Sequence, residues 1–187
     1  MRLAQPTDDF SLGLTGFGAS NHLVLKLVRH QYPSTRLCVF ARSAVQRNYA
    51  LALGADWVGL IDDSPPFELN AIIDTTPAWK PVVAAMKHLK PGGRLVINAI
   101  RKDDHDKREL MKLDYGRHLW MEKEIKSVAN VSRNDVRDCL ALVAESGIHP
   151  KVQRYGFMEA NRALLDLCRK DNEGAKVLLV SESLKDI

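Results

Sequence analysis

The sequence predicts an α/β protein with a doubly wound parallel sheet, followed by a C-terminal helical extension. Short apolar runs alternate with amphipathic segments from residue 10 to residue 98, which is the pattern of repeated strand–helix units. A glycine-rich turn at residues 16–21 separates the first apolar run from the first amphipathic segment. The run at residues 37–41 is apolar at every position, as expected for a parallel strand covered on both faces.

Five strands are predicted in this part of the chain, at residues 10–15, 37–41, 57–61, 71–74 and 94–98. The first two, with the amphipathic segment between them, complete a βαβ unit within about 30 residues, the size of such a unit. The Pro-Gly-Gly sequence at residues 91–93 is expected to form a turn before the fifth strand.

Three helices are predicted to connect these strands. The first has apolar residues at helical spacing over residues 23–28 and stops at Pro33. The second covers residues 43–54, and the third covers residues 81–89. Because strands and helices alternate, the strands are expected to run parallel.

The pattern changes after residue 99. Residues 101–114 are dense in charge and have little periodicity, so we interpret them as a solvated loop or helix face. Residues 125–129 are expected to add an edge strand, which completes a first domain at residues 1–130.

Residues 131–187 form the predicted extension, with two helices and one strand. Ser132 caps its first helix and Gly147 closes it, while the second helix covers residues 158–170. The strand follows at residues 176–180. We expect the extension to pack on the first domain or on a partner.

Composition excludes several classes of protein. The chain has 187 residues, 45% of them hydrophobic, which is enough to bury one core. Its net charge of +4 comes from dispersed basic residues, so we expect no nucleic-acid partner. No apolar stretch reaches the roughly 20 residues of a membrane span, and no signal peptide is evident. The widely spaced Cys38, Cys139 and Cys168 indicate reduced thiols in a cytoplasmic protein.

The glycine turn is a candidate anion site. Gly16 allows a sharp turn, and Gly18 lets the backbone approach a pyrophosphate that the N-terminal N–H groups of the helix can bind. Asn21 stands where a third glycine usually permits tight helix–strand contact, so we expect slightly wider packing there. We therefore interpret residues 1–130 as a dinucleotide-binding domain. Its turn residues assigned to the cofactor are Gly16, Phe17, Gly18, Ala19, Ser20 and Asn21.

The end of the second strand indicates which dinucleotide is preferred. An NAD site usually places Asp or Glu there, to accept hydrogen bonds from the adenine ribose and to repel a 2′-phosphate. Here Ala41 is followed by Arg42 and Ser43, with Arg47 one helical turn further on. Arginine forms paired charge-assisted bonds to phosphate, so the sequence favours NADP over NAD. In the alternative interpretation, both arginines are solvated surface charges and Ser43 is only a helix cap.

Further motifs occur in the order found in a known family. They are His22 after the glycine turn, Leu-Gly-Ala-Asp at 53–56, Ile-Asp at 73–74, His-Leu-Lys-Pro-Gly-Gly-Arg-Leu-Val-Ile at 88–97, Ser-Val-Ala-Asn at 127–130 and Met-Glu-Ala-Asn at 158–161. From about Phe10 to Val180, the chain resembles the cofactor-binding half of zinc-type medium-chain alcohol dehydrogenases. The resemblance implies a Rossmann-like fold that binds NADP or NAD.

The resemblance also implies what this chain does not supply. In that family the zinc ligands and the proton relay to the alcohol come from a preceding domain, which we expect this chain to lack. A catalytic zinc needs three protein ligands, and the six histidines here are scattered, so we expect neither zinc nor a catalytic residue. The chain is expected to bind cofactor without turning over alcohol, as an excised or truncated piece. Because family members pair through their sheet edges, the expected partners are a second copy or a catalytic domain.

Other site residues are implied by the resemblance alone. Thr75 and Thr76 follow the fourth strand, where family members pass the cofactor, and Ala99 lies just beyond the fifth strand. Lys176 occupies the place of a basic residue that reaches the pyrophosphate. Asp74, at the end of a strand, is interpreted as a turn-forming or helix-capping carboxylate.

Two other functions stay open. A methyltransferase that uses S-adenosylmethionine shares the glycine turn and the Pro-Gly-Gly segment. Such enzymes usually hold the ribose with an acidic residue at the end of the second strand, and Ala41 and Arg42 offer none. A noncatalytic nucleotide-sensing or interaction module would use the sheet edge and the C-terminal helices to hold a partner.

Overall fold

A computed structural model describes residues 1–129, 131–168 and 174–180 of the chain. The larger of two sheets has six parallel strands: β1 (Ser11–Thr15), β2 (Arg36–Phe40), β3 (Trp57–Gly59), β4 (Leu69–Asp74), β5 (Leu89–Ile97) and β6 (Glu124–Ser127). Their order across the sheet is β3-β2-β1-β4-β5-β6. This order confirms the predicted doubly wound parallel sheet, and β6 lies at its edge as expected.

Helices cover both faces of this sheet: α1 (Ala19–Gln31), α2 (Ala44–Ala52) and α3 (Lys80–Met86). Alternate residues of each strand point to opposite faces. On one face, Leu14 packs in a cluster with Leu25 of α1 and residues of α2. On the other face, Ile72 and Leu95 pack with Met86 of α3. The apolar strands are therefore buried on both sides, as their sequences predicted.

The connection from α3 to β5 differs from the prediction. β5 begins at Leu89, so residues 91–93 lie within a strand rather than in a turn before it. The pairing register against β4 shifts just after Leu69. A Cβ on Gly93 would lie only 2.8 Å from the carbonyl oxygen of Lys90. The Pro-Gly-Gly sequence therefore accommodates an irregularity in the ladder, which a turn pattern does not reveal.

The C-terminal region, which is residues 131–168 and 174–180, contains α4 (Arg133–Ser146), β7 (Val152–Gly156), α5 (Ala160–Leu167) and β8 (Ala175–Leu179). α4 is bounded as predicted, because Ser132 and Asp135 form a capping box and Gly147 adopts a left-handed φ of 62°. β7 and β8 form a separate parallel two-stranded sheet. The sequence did not indicate β7, whose sole buried side chain is Tyr155. This region thus has two strands rather than one.

The C-terminal region is thinly packed. α4 has no buried residue, and α5 buries Ala163 alone. Lys26 of α1 donates a hydrogen bond to the carbonyl oxygen of His149 (3.0 Å), which links the region to residues 1–129, here called the sheet region. The last two residues of the predicted helix 158–170 fall outside the described residues. No helix in the described ranges has the length and apolar character needed to cross a membrane.

Candidate functional site

The carboxyl ends of β1, β2, β4 and β5 meet along one edge of the sheet, here called the rim. In open parallel sheets, ligands bind at this edge, where the strand order reverses. The order reverses here between β1 and β4, beside the glycine turn. A hydrogen bond from the Gly16 amide to the Phe40 carbonyl oxygen (2.9 Å) holds the turn against β2.

The two glycines of the turn meet different surroundings. Gly16 has a φ of +77°, and a Cβ there would lie 3.0 Å from Cγ2 of Thr76. Both the backbone conformation and the available space therefore require glycine. Gly18 faces open space, because no neighbouring heavy atom lies within 4 Å of the position its Cβ would take. A ligand that approaches Gly18 meets bare backbone.

α1 begins directly after Gly18, and small, uncharged side chains surround its N-terminus. Ala19 and Ser20 are exposed, and the first turn contains no acidic residue. The Phe17 side chain is 2% exposed and packs edge-on against the Tyr49 ring, with ring centroids 5.9 Å apart. Only backbone atoms of Phe17 are therefore left for a ligand. The N–H groups and positive dipole end of α1 form a surface suited to an anion.

Asn21 holds the turn through its side chain. The residue is fully buried, and the two hydrogens of its Nδ2 are shared among three acceptors, which are the carbonyl oxygens of Thr15 (3.1 Å) and Gly16 (2.8 Å) and Oγ1 of Thr75 (3.1 Å). The space that a third glycine would leave is therefore filled by a hydrogen-bonded amide. This contact also ties the turn to the loop after β4.

Basic residues follow β2, as the sequence indicated. Arg42 is exposed, and Ser43 is the N-cap residue of α2. Nη1 of Arg47 donates to the carbonyl oxygens of Ala41 and Arg42, each at 2.8 Å. Arg47 therefore fixes the shape of the connection that presents Arg42 to solvent.

Asp74 ends β4 as a fully buried carboxylate at the rim. Its Oδ1 accepts hydrogen bonds from Oγ1 of Thr15 (2.5 Å) and Oγ1 of Thr76 (2.7 Å). Oδ1 also lies 3.3 Å from the Thr76 amide nitrogen, which is a turn-forming contact of the kind predicted. Its Oδ2 is ion-paired with Nζ of Lys102, and that pairing was not expected.

Lys102 belongs to the charge-dense run 101–114. Its side chain is only 10% exposed, so the interpretation of this run as solvated is wrong at this position. Asp106 also has a structural role, because its carboxylate accepts hydrogen bonds from the amides of Trp79 (2.8 Å) and Lys80 (2.8 Å). The available signal was Asp74 itself, because a carboxylate at the end of a buried strand needs a cation close by.

A cleft of about 210 Å³ opens near the carboxyl ends of β4 and β5. Its lining includes the apolar side chains of Ile73, Val96 and Val128, together with Asn98 and residues 1–4. Ala99 follows at a half-buried position, so this predicted residue does lie at the rim.

Lys176 lies in the small sheet. Its Nζ donates to Oε1 of Gln153 (2.7 Å) and to the hydroxyl of Tyr155 (3.2 Å), both in β7. From the same region, the amide of Lys151 donates to Nε2 of His22 in α1 (3.4 Å). Burial lowers the pKa of His22 below its ordinary 6.5, which keeps the ring neutral at pH 7 and Nε2 able to accept. The described contacts therefore join Lys151, rather than Lys176, to the helix that begins at the turn.

The chain is similar to a known protein along most of its length. The chain is 35% identical over 169 residues to a protein described as a probable alcohol dehydrogenase, AdhA, of Mycobacterium tuberculosis. The match covers 90% of this chain and 47% of that protein. No family model matches the chain.

Solved structures show the same fold. A cinnamyl alcohol dehydrogenase of Sorghum bicolor superposes with a TM-score of 0.79 at 22% identity, over 97% of this chain and 51% of that one. The Helicobacter pylori enzyme CAD, complexed with NADP(H), gives 0.79 at 16% identity, over 97% and 51%. The chain is therefore related in sequence to a probable alcohol dehydrogenase and shares the fold of these two enzymes. An acetophenone reductase of Geotrichum candidum, in complex with NAD, gives 0.78 at 17% identity, over 97% and 52%.

The chain spans about half the length of the proteins it matches. The matched half contains the six-stranded sheet and its glycine turn. Within the described ranges, no three His, Cys, Asp or Glu side chains gather in a way that could hold a metal ion.

Proposed function

We propose that this chain binds a nicotinamide dinucleotide at the rim, as the cofactor-binding domain of a zinc-type alcohol dehydrogenase. The observation that carries the proposal is the glycine turn, where bare backbone at Gly18 adjoins the N-terminus of α1. Neighbours of the same fold are described in complex with NADP(H) and with NAD. Hydride transfer to or from a substrate would require a catalytic domain in addition to residues 1–130.

In this proposal the pyrophosphate lies against the backbone of residues 16–20, and the rest of the cofactor follows the rim. Thr75 and Thr76 would border its path, because both already pack against the turn. The nicotinamide end would lie in the cleft lined by Ile73, Val96 and Asn98, since it opens at the carboxyl ends of β4 and β5.

We infer a preference for NADP(H) from the end of β2. Arg42 is exposed, with the N-terminus of α2 directly after it, so a 2′-phosphate there would meet a guanidinium and backbone donors. Ala41, where an acidic residue would hold an unphosphorylated ribose, has an apolar and nearly buried side chain. Arg47 supports the geometry by holding the carbonyl groups of both residues.

Calorimetric titration at low salt with NADPH and NADH tests both dinucleotide binding and the preference for NADP(H). We expect NADPH to bind more tightly, and Arg42→Asp to reverse that order by removing a cation and adding an anion beside the 2′-phosphate. Arg137→Asp, on the exposed face of α4, makes the same change of charge away from the rim and should leave the ratio unchanged. An unaltered ratio in Arg42→Asp would eliminate the NADP assignment.

The same titration includes S-adenosylmethionine, which is the ligand of the competing methyltransferase interpretation. Tight binding of that compound, with no dinucleotide binding, would favour a methyltransferase. A partner recovered from the source cell, whose binding changes with NADPH, would instead favour a nucleotide-sensing module.

We also propose that two copies pair through the exposed edge of β6, or that the C-terminal region packs on a catalytic domain. β6 is an edge strand in the described sheet, and its Ile125 side chain is 39% exposed. An open strand edge offers unpaired N–H and C=O groups to another strand. Equilibrium sedimentation should show concentration-dependent association, and a chain that stays monomeric at high concentration would count against self-pairing.

A further inference from the structure

The ammonium group of Lys102 has an unusual environment for a lysine. It is ion-paired with Oδ2 of Asp74 and also donates to the carbonyl oxygens of Thr76 (2.8 Å) and Ala78 (2.9 Å). These three acceptors match its three hydrogens. The Asp74 side chain is fully buried, so this cation is an internal component of the rim rather than a surface charge.

The loop that Lys102 holds is the loop that packs against the glycine turn. Thr76 provides the atom closest to the position of a Gly16 Cβ, at 3.0 Å, and Oγ1 of Thr75 lies 3.3 Å from it. The Thr75 amide donates to the carbonyl oxygen of Thr15 at the end of β1 (3.2 Å). A shift of this loop would therefore change the surface beside the turn.

Asp103 and Asp106, which follow Lys102, also form hydrogen bonds to the segment after β4. The Asp103 amide donates to the carbonyl oxygen of Pro77 (2.8 Å), and Asp106 accepts from the first amides of α3. The Lys102 ammonium also lies 5.7 Å from the centroid of the Trp79 ring. Of Lys102, Asp103 and Asp106, it is Lys102 that contacts the buried carboxylate of Asp74, to which Oγ1 of Thr76 also donates.

We propose that Lys102 is a positioning residue for dinucleotide binding, which holds residues 75–78 in the shape that borders the cofactor. This inference rests on the proposed function. Lys102 need not touch the ligand, because its three hydrogens are already used within the protein. Its contribution is to fix the loop before binding, so that the ligand does not bear the entropic cost of ordering it.

Lys102→Met tests the proposal, because it keeps an apolar stem of similar length and removes the ammonium. We expect dinucleotide affinity to fall about 10-fold, and hydrogen exchange at the Thr75 and Thr76 amides to become about 10-fold faster. Lys107→Met is the matched control, since Lys107 lies in the same segment with an exposed ion pair to Asp104 (3.5 Å). Its affinity and exchange rates should stay within about twofold of wild type.

A second variant separates positioning from general stability. Lys102→Met leaves the Asp74 carboxylate buried without its cation, whereas Asp74→Asn combined with Lys102→Met removes both charges. We expect the double variant to recover most of the melting temperature but not the affinity, because the carbonyls of Thr76 and Ala78 still lack their donor. Recovery of affinity together with melting temperature would overturn the positioning role.

The two measurements also distinguish this inference from the function on which it rests. A wild-type chain that binds no dinucleotide would remove the proposed function and, with it, the role in cofactor binding. The exchange rates would still decide whether Lys102 orders the loop. Unchanged exchange at the Thr75 and Thr76 amides in Lys102→Met would overturn the inference even if the wild type binds NADPH.

Discussion

The sheet region and the C-terminal region contain helices of similar length, but the side chains of these helices differ greatly in burial. α1 buries Leu25 and Val28 completely, whereas α4, of nearly the same length, buries no residue. On α5, Leu164 and Leu165 are 61% and 69% exposed. Because α4 has both a capping box and a glycine C-cap, local signals are sufficient to specify a helix. Whether its apolar side becomes buried depends on a packing partner.

The largest expected effect comes from truncating one leucine in each region. Leu25→Ala removes a fully buried side chain from the core and should lower the free energy of unfolding by about 3 kcal/mol. Leu165→Ala removes a largely exposed side chain and should change it by less than about 0.5 kcal/mol. Urea denaturation followed by circular dichroism measures both values. A large loss for Leu165→Ala that grows with protein concentration would show that a second copy covers this surface.

A smaller effect is expected from replacing either of two glycines, Gly147 and Gly16, that both adopt a left-handed backbone conformation. Gly147→Ala, at the end of α4, meets no atom within 4 Å and should cost about 1 kcal/mol from backbone strain alone. Gly16→Ala adds a 3.0 Å contact with Thr76 and should cost about 2 kcal/mol. It should also weaken NADPH binding, which Gly147→Ala should not change. Equal stability losses with unchanged NADPH affinity would show that the turn tolerates a Cβ.

The effect expected to be smallest near neutral pH is a difference in pH dependence. His88 stacks on Phe40 in the sheet region, and burial lowers its pKa to about 4. Since the unfolded chain takes up this proton near pH 6.5, the stabilising contribution is complete above that pH and is lost as pH falls towards 4. His88→Phe should therefore make the free energy of unfolding less sensitive to pH between 6.5 and 4.

Urea denaturation at several pH values from 6.5 to 4 measures the free energy of unfolding of wild type and of His88→Phe. The carboxyl groups of Glu124 and Asp135 have their pKa lowered to about 2 by hydrogen bonds and cations, so their contributions are lost mainly below pH 4. A slope that is identical in His88→Phe and wild type would show that burial of this ring is not what makes the protein sensitive to acid.

The sequence predicted correctly those features that depend on residues close together in the chain. The glycine turn, the helix after it and the Ser132 cap each depend on residues a few positions apart, and the structure places them as predicted. Contacts between residues that are far apart in the chain could not be recognised from the sequence pattern. Lys102 is 28 positions from Asp74, and its charge looked like that of its solvated neighbours.

The missed strand and the misplaced turn have the same physical origin. β7 is stabilised by pairing with β8 rather than by an apolar face of its own, so its composition does not identify it. Residues 91–93 have turn composition, but pairing with β4 draws them into β5. In both places, the partner strand rather than the local sequence determines the conformation.

The strand order also has a consequence for synthesis on the ribosome. β1 is central in the finished sheet, yet its second neighbour, β4, is not complete until Asp74 has been added. At about 5–20 residues per second, the nascent chain carries β1 with one unpaired edge for several seconds. Such an edge is a template for pairing with other chains. The time needed to translate residues 41–74 is therefore the interval in which this edge of β1 stays open to other chains.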